Sequence, residues 1–198
     1  ILRQTPPPQY QPIRLQATGK SELKNFTKLE ILNQPVFFHG DAFFAGFYLN
    51  EIVLRLCPLE EAMPQTFEQY QLTLLQLQQL ASHKQASLFL RQILRQFEHV
   101  LLQELGYGLT LSHDSTGAPI VAEAHYTYRM EQGPVRLVHD TEAAQVVIGK
   151  TLLDMEAEDF SDPRSRQEAK ALMRTLMAYY LAGKELETRK LFREMQEL

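Results

Sequence analysis

The sequence predicts an α+β chain, with a β-hairpin at the start and then a helical domain into which a second small hairpin is inserted. Three observations carry this reading. Residues 9–33 form two short runs around Thr18-Gly19-Lys20, the pattern of strand, tight turn and strand. From Asp41 onward, apolar residues recur at helical spacing in successive stretches. Between those stretches His125–Met130 alternates, Glu131-Gln132-Gly133-Pro134 turns, and Val135–Val138 returns. At 198 residues, 44% hydrophobic and 22% charged, the chain is long enough for a sizeable core and has a globular composition.

The first hairpin has Tyr10, Ile13 and Leu15 before its turn, and Leu23, Phe26, Leu29 and Ile31 after it. Two strands do not make an independent domain. The chain opens on Ile-Leu-Arg with no initiator Met, so residues 1–34 are expected to be the remnant of a small β domain whose earlier strands precede this sequence. Pro35 then breaks the chain. Asp41 is placed to cap a helix running to Pro58. That helix is apolar on nearly every face, which predicts a buried central helix, and its polar exceptions Asn50 and Glu51 need partners.

A second helix is expected over 65–81, with Phe67, Tyr70, Leu74 and Leu77 as its stripe. The third is expected over Leu90–Leu105. Ile93, Leu94, Phe97, Leu101 and Leu105 make its apolar face, while Arg91, Arg95 and His99 recur every four residues on another. Gly106 stops it just past its end. The short polar link Ser82–Ser87 predicts that the second and third helices are antiparallel neighbours. Ser112–Pro119 is loop-rich, and Gly149–Glu156 is a short helix. Ser161-Asp162-Pro163 starts the next helix, with Leu172, Met173, Leu176, Met177 and Tyr180 buried and Gly183 at its end. A last helix carries Leu191, Phe192 and Met195. The expected division is thus 1–34 for the β remnant, 35–111 with 141–198 for the helical domain, and 112–140 for the insertion.

Cys57 stands alone, so neither an intrachain disulfide nor a cysteine zinc cluster can form. No apolar run approaches the length of a membrane span, and no signal-peptide pattern opens the chain. The lone cysteine fits a reducing compartment, and a cytoplasmic location is expected. The formal net charge of −4 hides an uneven distribution. Residues 1–34 carry five basic and two acidic side chains, and residues 164–198 carry eight and five. The middle carries seven basic and seventeen acidic ones. Both ends are therefore basic, and local patches rather than total charge decide phosphate binding.

No catalytic constellation is visible. Ile148-Gly149-Lys150-Thr151 has the tail of a phosphate-binding P-loop, but the earlier glycine of that motif is replaced by Ala144. There is no G-x-S-x-G elbow. The histidines, among them His113, His125 and His139, show no metal-binding spacing. His113 and Asp114 read as polar loop residues. Glu156, Glu158 and Asp159 lack the alternation and central glycine of a calcium loop. Neither an enzymatic activity nor a metal or other cofactor is expected.

Five segments in order carry a resemblance. They are Gly19-Lys20-Ser21-Glu22-Leu23-Lys24, Ala45-Gly46-Phe47-Tyr48-Leu49-Asn50-Glu51, Leu94-Arg95-Gln96-Phe97-Glu98, Leu105-Gly106-Tyr107-Gly108, and the tail from Tyr180 to Arg189. Together they resemble the RecO family of bacterial recombination mediator and annealing proteins, across essentially the whole chain. The resemblance implies an N-terminal OB fold, a helical middle and a zinc-finger-like insertion. It also implies binding of single- and double-stranded DNA, annealing of complementary strands, and DNA repair and recombination at the nucleoid. The implied partners are RecR, with which the family loads RecA, and the acidic, Phe-ending tail of single-stranded-DNA-binding protein (SSB). Two departures stand out. The first OB strands are missing, and Ser112-His113-Asp114-Ser115 falls where some members hold zinc with four cysteines. Zinc is therefore not expected, and the insertion must hold its shape by packing.

The candidate DNA contacts are Arg14, Lys20, Lys24 and Lys28 near the β remnant, with Lys170, Arg174, Lys184 and Arg189 opposite. Lys20, Lys24 and Lys28 lie four residues apart and would share one face of a strand, as a phosphate track or as edge-strand lysines that block aggregation. Arg189 has the alternative of capping a helix or pairing with Glu185. For the tail peptide the resemblance points to Arg95 as anchor, aided by Arg91, with Leu77, Leu80 and Leu88 as walls. An arginine fork pairs a carboxylate in two places while an apolar pocket takes the ring. The structural alternative is that Arg95 bonds Glu98 or Glu51. A rival from another class is a helical scaffold that binds only proteins. Steep salt dependence of DNA affinity would separate the two.

Overall fold

A computed structural model of the chain describes residues 6–20, 24–138 and 145–196, the last five of these by backbone alone. Ser21–Leu23, His139, Ala144 and the side chains of Phe192 and Met195 lie outside the described residues. Strands β1 (Ile13–Thr18) and β2 (Asn25–Ile31) form the expected antiparallel hairpin, with a bulge between Gln16 and Ala17. Leu15, Phe26 and Ile31 on it are exposed. Tyr10 precedes β1 and packs edge-on against Phe38, centroids 4.9 Å apart. Gly46 makes room for it, because a Cβ there would sit 2.7 Å from the Tyr10 hydroxyl oxygen.

Helix α1 (Asp41–Leu56) runs as predicted, but Asp41 is its first residue and not its cap. It is buried on one face only, through Ala42, Ala45, Tyr48, Leu49 and Ile52. Leu54 is 83% exposed, so the expectation of a helix buried all round is corrected. A helix at the edge of a bundle has neighbours on one side only. Helix α2 (Pro64–Gln78) is followed by a 3₁₀ turn, Leu80–Ser82. Its buried stripe is Thr66, Thr73, Leu74 and Leu77, whereas Phe67 is 62% exposed. The stripe is thus rotated from the expected one. Thr73 tolerates burial because its hydroxyl donates to the Gln69 carbonyl at 2.8 Å.

Helix α3 (Ala86–Glu104) starts four residues before the predicted boundary, taking in Ser87. Its other end follows the prediction: Gly106 has φ +82°, Tyr107 N–H donates to Leu102 O and Gly106 N–H to Gln103 O, the paired bonds of a glycine-terminated helix. Helices α2 and α3 are antiparallel. The Glu104 carboxylate at the end of α3 accepts from the Gln65 and Thr66 amides at the start of α2.

In the insertion, β3 (His125–Arg129) pairs with β4 (Gly133–Arg136) on one edge, as predicted. On its other edge it pairs with β5 (Val147–Ile148), a strand too short to be read from the sequence. Helix α4 (Gly149–Glu156) has the predicted bounds. Helix α5 (Pro163–Tyr180) is capped by Asp162, which accepts from the Ser165 amide at 2.7 Å, and it buries Leu172, Met173, Leu176 and Met177. Helix α6 (Glu187–Gln196) closes the chain against α1.

The polar exceptions of α1 find the partners they required. Asn50 accepts a hydrogen bond from the Tyr70 hydroxyl. Glu51 accepts from the Glu187 and Thr188 amides at 2.8 and 2.9 Å and pairs with Arg55. It thereby caps α6 from outside that helix. The Arg55 guanidinium donates to the Glu185 carbonyl at 3.1 Å.

Candidate functional site

The arginine row of α3 faces α5 and forms the side of a cleft. At one end lies a cavity of about 220 Å³ whose apolar lining includes Phe89, Ile93, Leu109, Met155, Phe160 and Met173; Gln92, Arg95, Gln96, His99 and Glu158 line it too. An apolar cavity of roughly 150 Å³ is enough to take benzene. A phenyl ring therefore fits here. The cavity continues into an open stretch between α3 and α5 lined by Arg91, Arg95, Arg166 and Lys170, together with Leu88. No acidic side chain lines that stretch. Beyond Arg91 a second groove opens, lined by Phe44, Tyr48, Leu94, Arg174 and Arg189, with Asp41 and Glu185 among its lining.

Arg95 is held from below. Its guanidinium pairs with Glu98, which is 0% exposed, and the Tyr48 hydroxyl donates to the same carboxylate. Complete burial pushes the Glu98 carboxyl up, while Arg95, the Tyr48 hydroxyl and Arg189 pull it down. Burial and the facing carboxylate hold the Tyr48 hydroxyl well above its ordinary value. A buried carboxylate needs both a cation and a hydrogen-bond donor. The structural alternative for Arg95 is therefore realised through Glu98, while Glu51 is engaged with α6. That role does not remove Arg95 from the cleft, because a guanidinium has five N–H donors in a fixed fork. Arg95 still lines both the cavity and the basic stretch.

The expected walls are corrected in part. Leu77 and Leu80 are 1% and 6% exposed and belong to the core, away from the cleft; they face the other side of α2 and the turn after it. Leu88 does line the cleft. The apolar residues of the cavity sit instead on α3, on the segment after it, on α4 and the loop that follows, and on α5, elements brought together only by folding. Sequence reasoning also passed over Arg166. Its signal was present, since Arg166, Lys170 and Arg174 recur every four residues along α5 and mirror the row on α3. Arg166 also donates to the Phe160 and Ser161 carbonyls at 2.8 and 2.7 Å, which fixes the loop at the cavity edge.

The cations of the hairpin are placed differently. Arg14 pairs with its cross-strand neighbour Glu30 at 3.4 Å. Lys24 precedes β2 and pairs with Glu60 in the link between α1 and α2. Lys20 lies in the bend after β1, so only Lys28 stands within a strand. The period-two alignment expected of the three lysines does not form, because the turn takes up Lys20 and Lys24. Lys184 is exposed in the turn after α5. Arg189 lies in the groove near Tyr48 and Glu98.

The P-loop-like segment is closed. The amides of Gly149 and Lys150 donate to the carbonyls of Ala124 and Ala122, both at 2.8 Å. The Thr151 hydroxyl and Ile148 amide donate to Glu168, and Lys150 pairs with Asp154. The glycine is required for packing: a Cβ at Gly149 would overlap the Val121 carbonyl. In the insertion, Asp114 does more than fill a loop. Its carboxylate accepts from the Thr116 amide and hydroxyl and from the Ala118 amide at 2.6–3.1 Å. These bonds hold its carboxyl below the usual range. Packing around the buried Tyr126, whose hydroxyl accepts from the Val121 amide at 2.9 Å, adds to them. Among the described residues, no three His, Cys, Asp or Glu side chains cluster to hold a metal, and no helix is long and apolar enough to cross a membrane.

A partly apolar cavity that runs into a cation-lined stretch between two helices marks a helical domain with a basic cleft. The family described as Recombination protein O C terminal matches residues 38–190. The chain is 53% identical over 191 residues to the DNA repair protein RecO of Dechloromonas aromatica (strain RCB), covering 96% of this chain and 76% of that one. It is 40% identical over 192 residues to the RecO of Cupriavidus metallidurans, covering 96% and 62%. To the RecO of Nitrosospira multiformis it is 39% identical over 191 residues, covering 96% and 76%. The chain belongs to the RecO family of DNA repair proteins.

Proposed function

We propose that the chain is a DNA repair and recombination mediator which recognises the acidic, Phe-ending tail of SSB in the α3–α5 cleft and contacts DNA through the cations next to it. One observation carries this reading: the apolar cavity beside Arg95 runs directly into a stretch lined by Arg91, Arg95, Arg166 and Lys170. The terminal ring enters the cavity, the fork of Arg95 pairs its carboxylate, and the preceding acidic residues meet the other cations. Arg174 and Arg189, with Lys184 in the nearby turn, supply phosphate contacts. The exposed apolar residues of the β1–β2 hairpin suit a sheet continued by further strands, as in an OB fold. Annealing of complementary strands, cooperation with RecR in loading RecA, and a place in the bacterial cytoplasm at the nucleoid complete the proposal.

A scaffold that binds proteins but not DNA is the second reading. It is favoured by the pairing of Arg14 with Glu30 and of Lys24 with Glu60, which leaves those cations less available to phosphates. The test titrates labelled single-stranded DNA, and separately a labelled acidic peptide ending in Asp residues and Phe, at two salt concentrations. Each phosphate contact adds about 0.7 to the log–log salt slope on a single strand. Peptide binding with no DNA binding would select the scaffold, and absence of both would overturn the proposal.

A further inference from the structure

We infer that the acidic peptide and the DNA strand exclude one another on this domain, with Arg91 as the shared contact, so that the domain alternates between the two ligands; this rests on the function proposed above. In sequence the two candidate sets lie far apart, Arg91 and Arg95 on one helix and Lys170, Arg174, Lys184 and Arg189 near the end of the chain. Folding interleaves them. Lys170 lines the same stretch as Arg91 and Arg95, while Arg174 and Arg189 line the groove on the other side of Arg91. Arg91 is exposed and lines both. An acidic peptide with its ring in the cavity must lay its carboxylates along Arg91, Arg166 and Lys170. A phosphate strand held by Arg174 and Arg189 reaches Arg91 next. Two anionic chains meeting at one guanidinium repel each other, and the low-dielectric walls of a cleft strengthen that repulsion.

The apolar cavity makes the two ligands unequal. The peptide gains from burying its ring as well as from charge, and the strand gains chiefly from charge.

The experiment follows a fluorescent oligothymidylate bound to the full chain by anisotropy while unlabelled acidic, Phe-ending peptide is added. The expected result is displacement, with an inhibition constant matching the peptide's own directly measured Kd. A peptide with the same acidic residues but without the terminal Phe should displace at least tenfold less well. Arg91→Ala should weaken both ligands at least fivefold. Arg189→Ala should weaken the oligonucleotide with peptide affinity unchanged. A ternary complex with both affinities intact would overturn the inference while leaving the proposed function standing. Equal displacement by the Phe-less peptide would also overturn it, by reducing the effect to bulk charge. Absence of binding by either ligand alone would instead remove the proposed function, and the inference with it.

Discussion

Two segments of this chain look suited to anions, and folding treats them oppositely. The start of α4 offers Gly149-Lys150-Thr151 at a helix N-terminus, normally a favourable place for phosphate. The row Arg91, Arg95, His99 on α3 offers only side-chain charge. At α4 the Gly149 and Lys150 amides, the Thr151 hydroxyl and the Lys150 ammonium all have internal acceptors, from the Ala122 and Ala124 carbonyls to Glu168 and Asp154. At α3 one cation is anchored by a buried carboxylate, and Arg91 opens onto a stretch between α3 and α5 that no acid lines, although Glu158 lines the adjoining cavity. A cationic motif becomes a site only where packing leaves donors facing space. The identity of the residues does not decide this; what packs against them does.

The largest expected effect tests the closed segment. Gly149→Ala places a methyl on the Val121 carbonyl, a backbone group that cannot move alone. A loss of about 4 kcal/mol in unfolding free energy is expected in denaturant titration, in the range of severe steric mutations. A variant within about 0.5 kcal/mol of the parent would show that the junction of insertion and helix gives way easily.

Next comes Arg95→Ala, which strikes the open segment twice. Under the proposed function it removes the anchor of the acidic peptide, costing about 2 kcal/mol or more of peptide affinity by calorimetry. It also strands Glu98 in the core, which lowers stability by about 3 kcal/mol in the same titration. The double variant Arg95→Ala/Glu98→Gln separates these, since it should recover stability without recovering the peptide. Recovery of both would make Arg95 purely structural, and peptide binding at wild-type strength in the single variant would end its role as anchor.

A smaller effect concerns Glu51, the external cap of α6. Burial pushes this carboxyl up, but bonds from Thr188 and Glu187 and the charge of Arg55 outweigh it, leaving the folded value below the ordinary one. A depressed folded value supplies stability in full above the unfolded glutamate pKa of about 4.3, and that stability is lost as pH falls through the lower folded value. Glu51→Gln should therefore cost about 1 kcal/mol at neutral pH, as for loss of a helix cap, and less in acid. A loss that stays constant with pH would mean that the charge of Glu51 contributes nothing.

The smallest effect is a null. Any effect of millimolar ATP with magnesium on the melting temperature should be the same in Lys150→Gln as in the parent. A ligand present at a hundred times its Kd stabilises by about 2.7 kcal/mol, so specific binding at the α4 segment with a Kd of about 10 μM would be visible. A rise in melting temperature abolished by Lys150→Gln would erase the contrast between the two segments.

Much of the fold was legible because its signals are local. The bounds of α4, the Asp162 cap and buried stripe of α5, and the glycine stop of α3 all follow from residues within a turn or two. The misreadings arose where a neighbour decided. Phe67 is apolar and in phase with Tyr70 and Leu74, yet the buried face of α2 takes in Thr66 and Thr73 and leaves Phe67 exposed. Strand β5 is two residues long and exists only because β3 offers it an edge. For the site, Arg95, Arg91 and Leu88 were legible from helical spacing and the resemblance. The cavity walls Phe89, Leu109, Met155 and Phe160 were not, because they come from segments distant in sequence.

By itself the sequence determined the order and type of the main elements, the alternation of helices with a short hairpin, the basic ends and the need of Asn50 and Glu51 for partners. Those properties depend on period, capping and composition, which act over a few residues. Only the tertiary structure decided that Glu51 caps α6, that Glu98 lies buried beneath Arg95, and that Lys170 joins the α3 arginines in one cleft while Arg174 and Arg189 line the groove beyond Arg91. The worth of a charge depends on its distance to other charges and on the water around it, and both are set by which helices pack together.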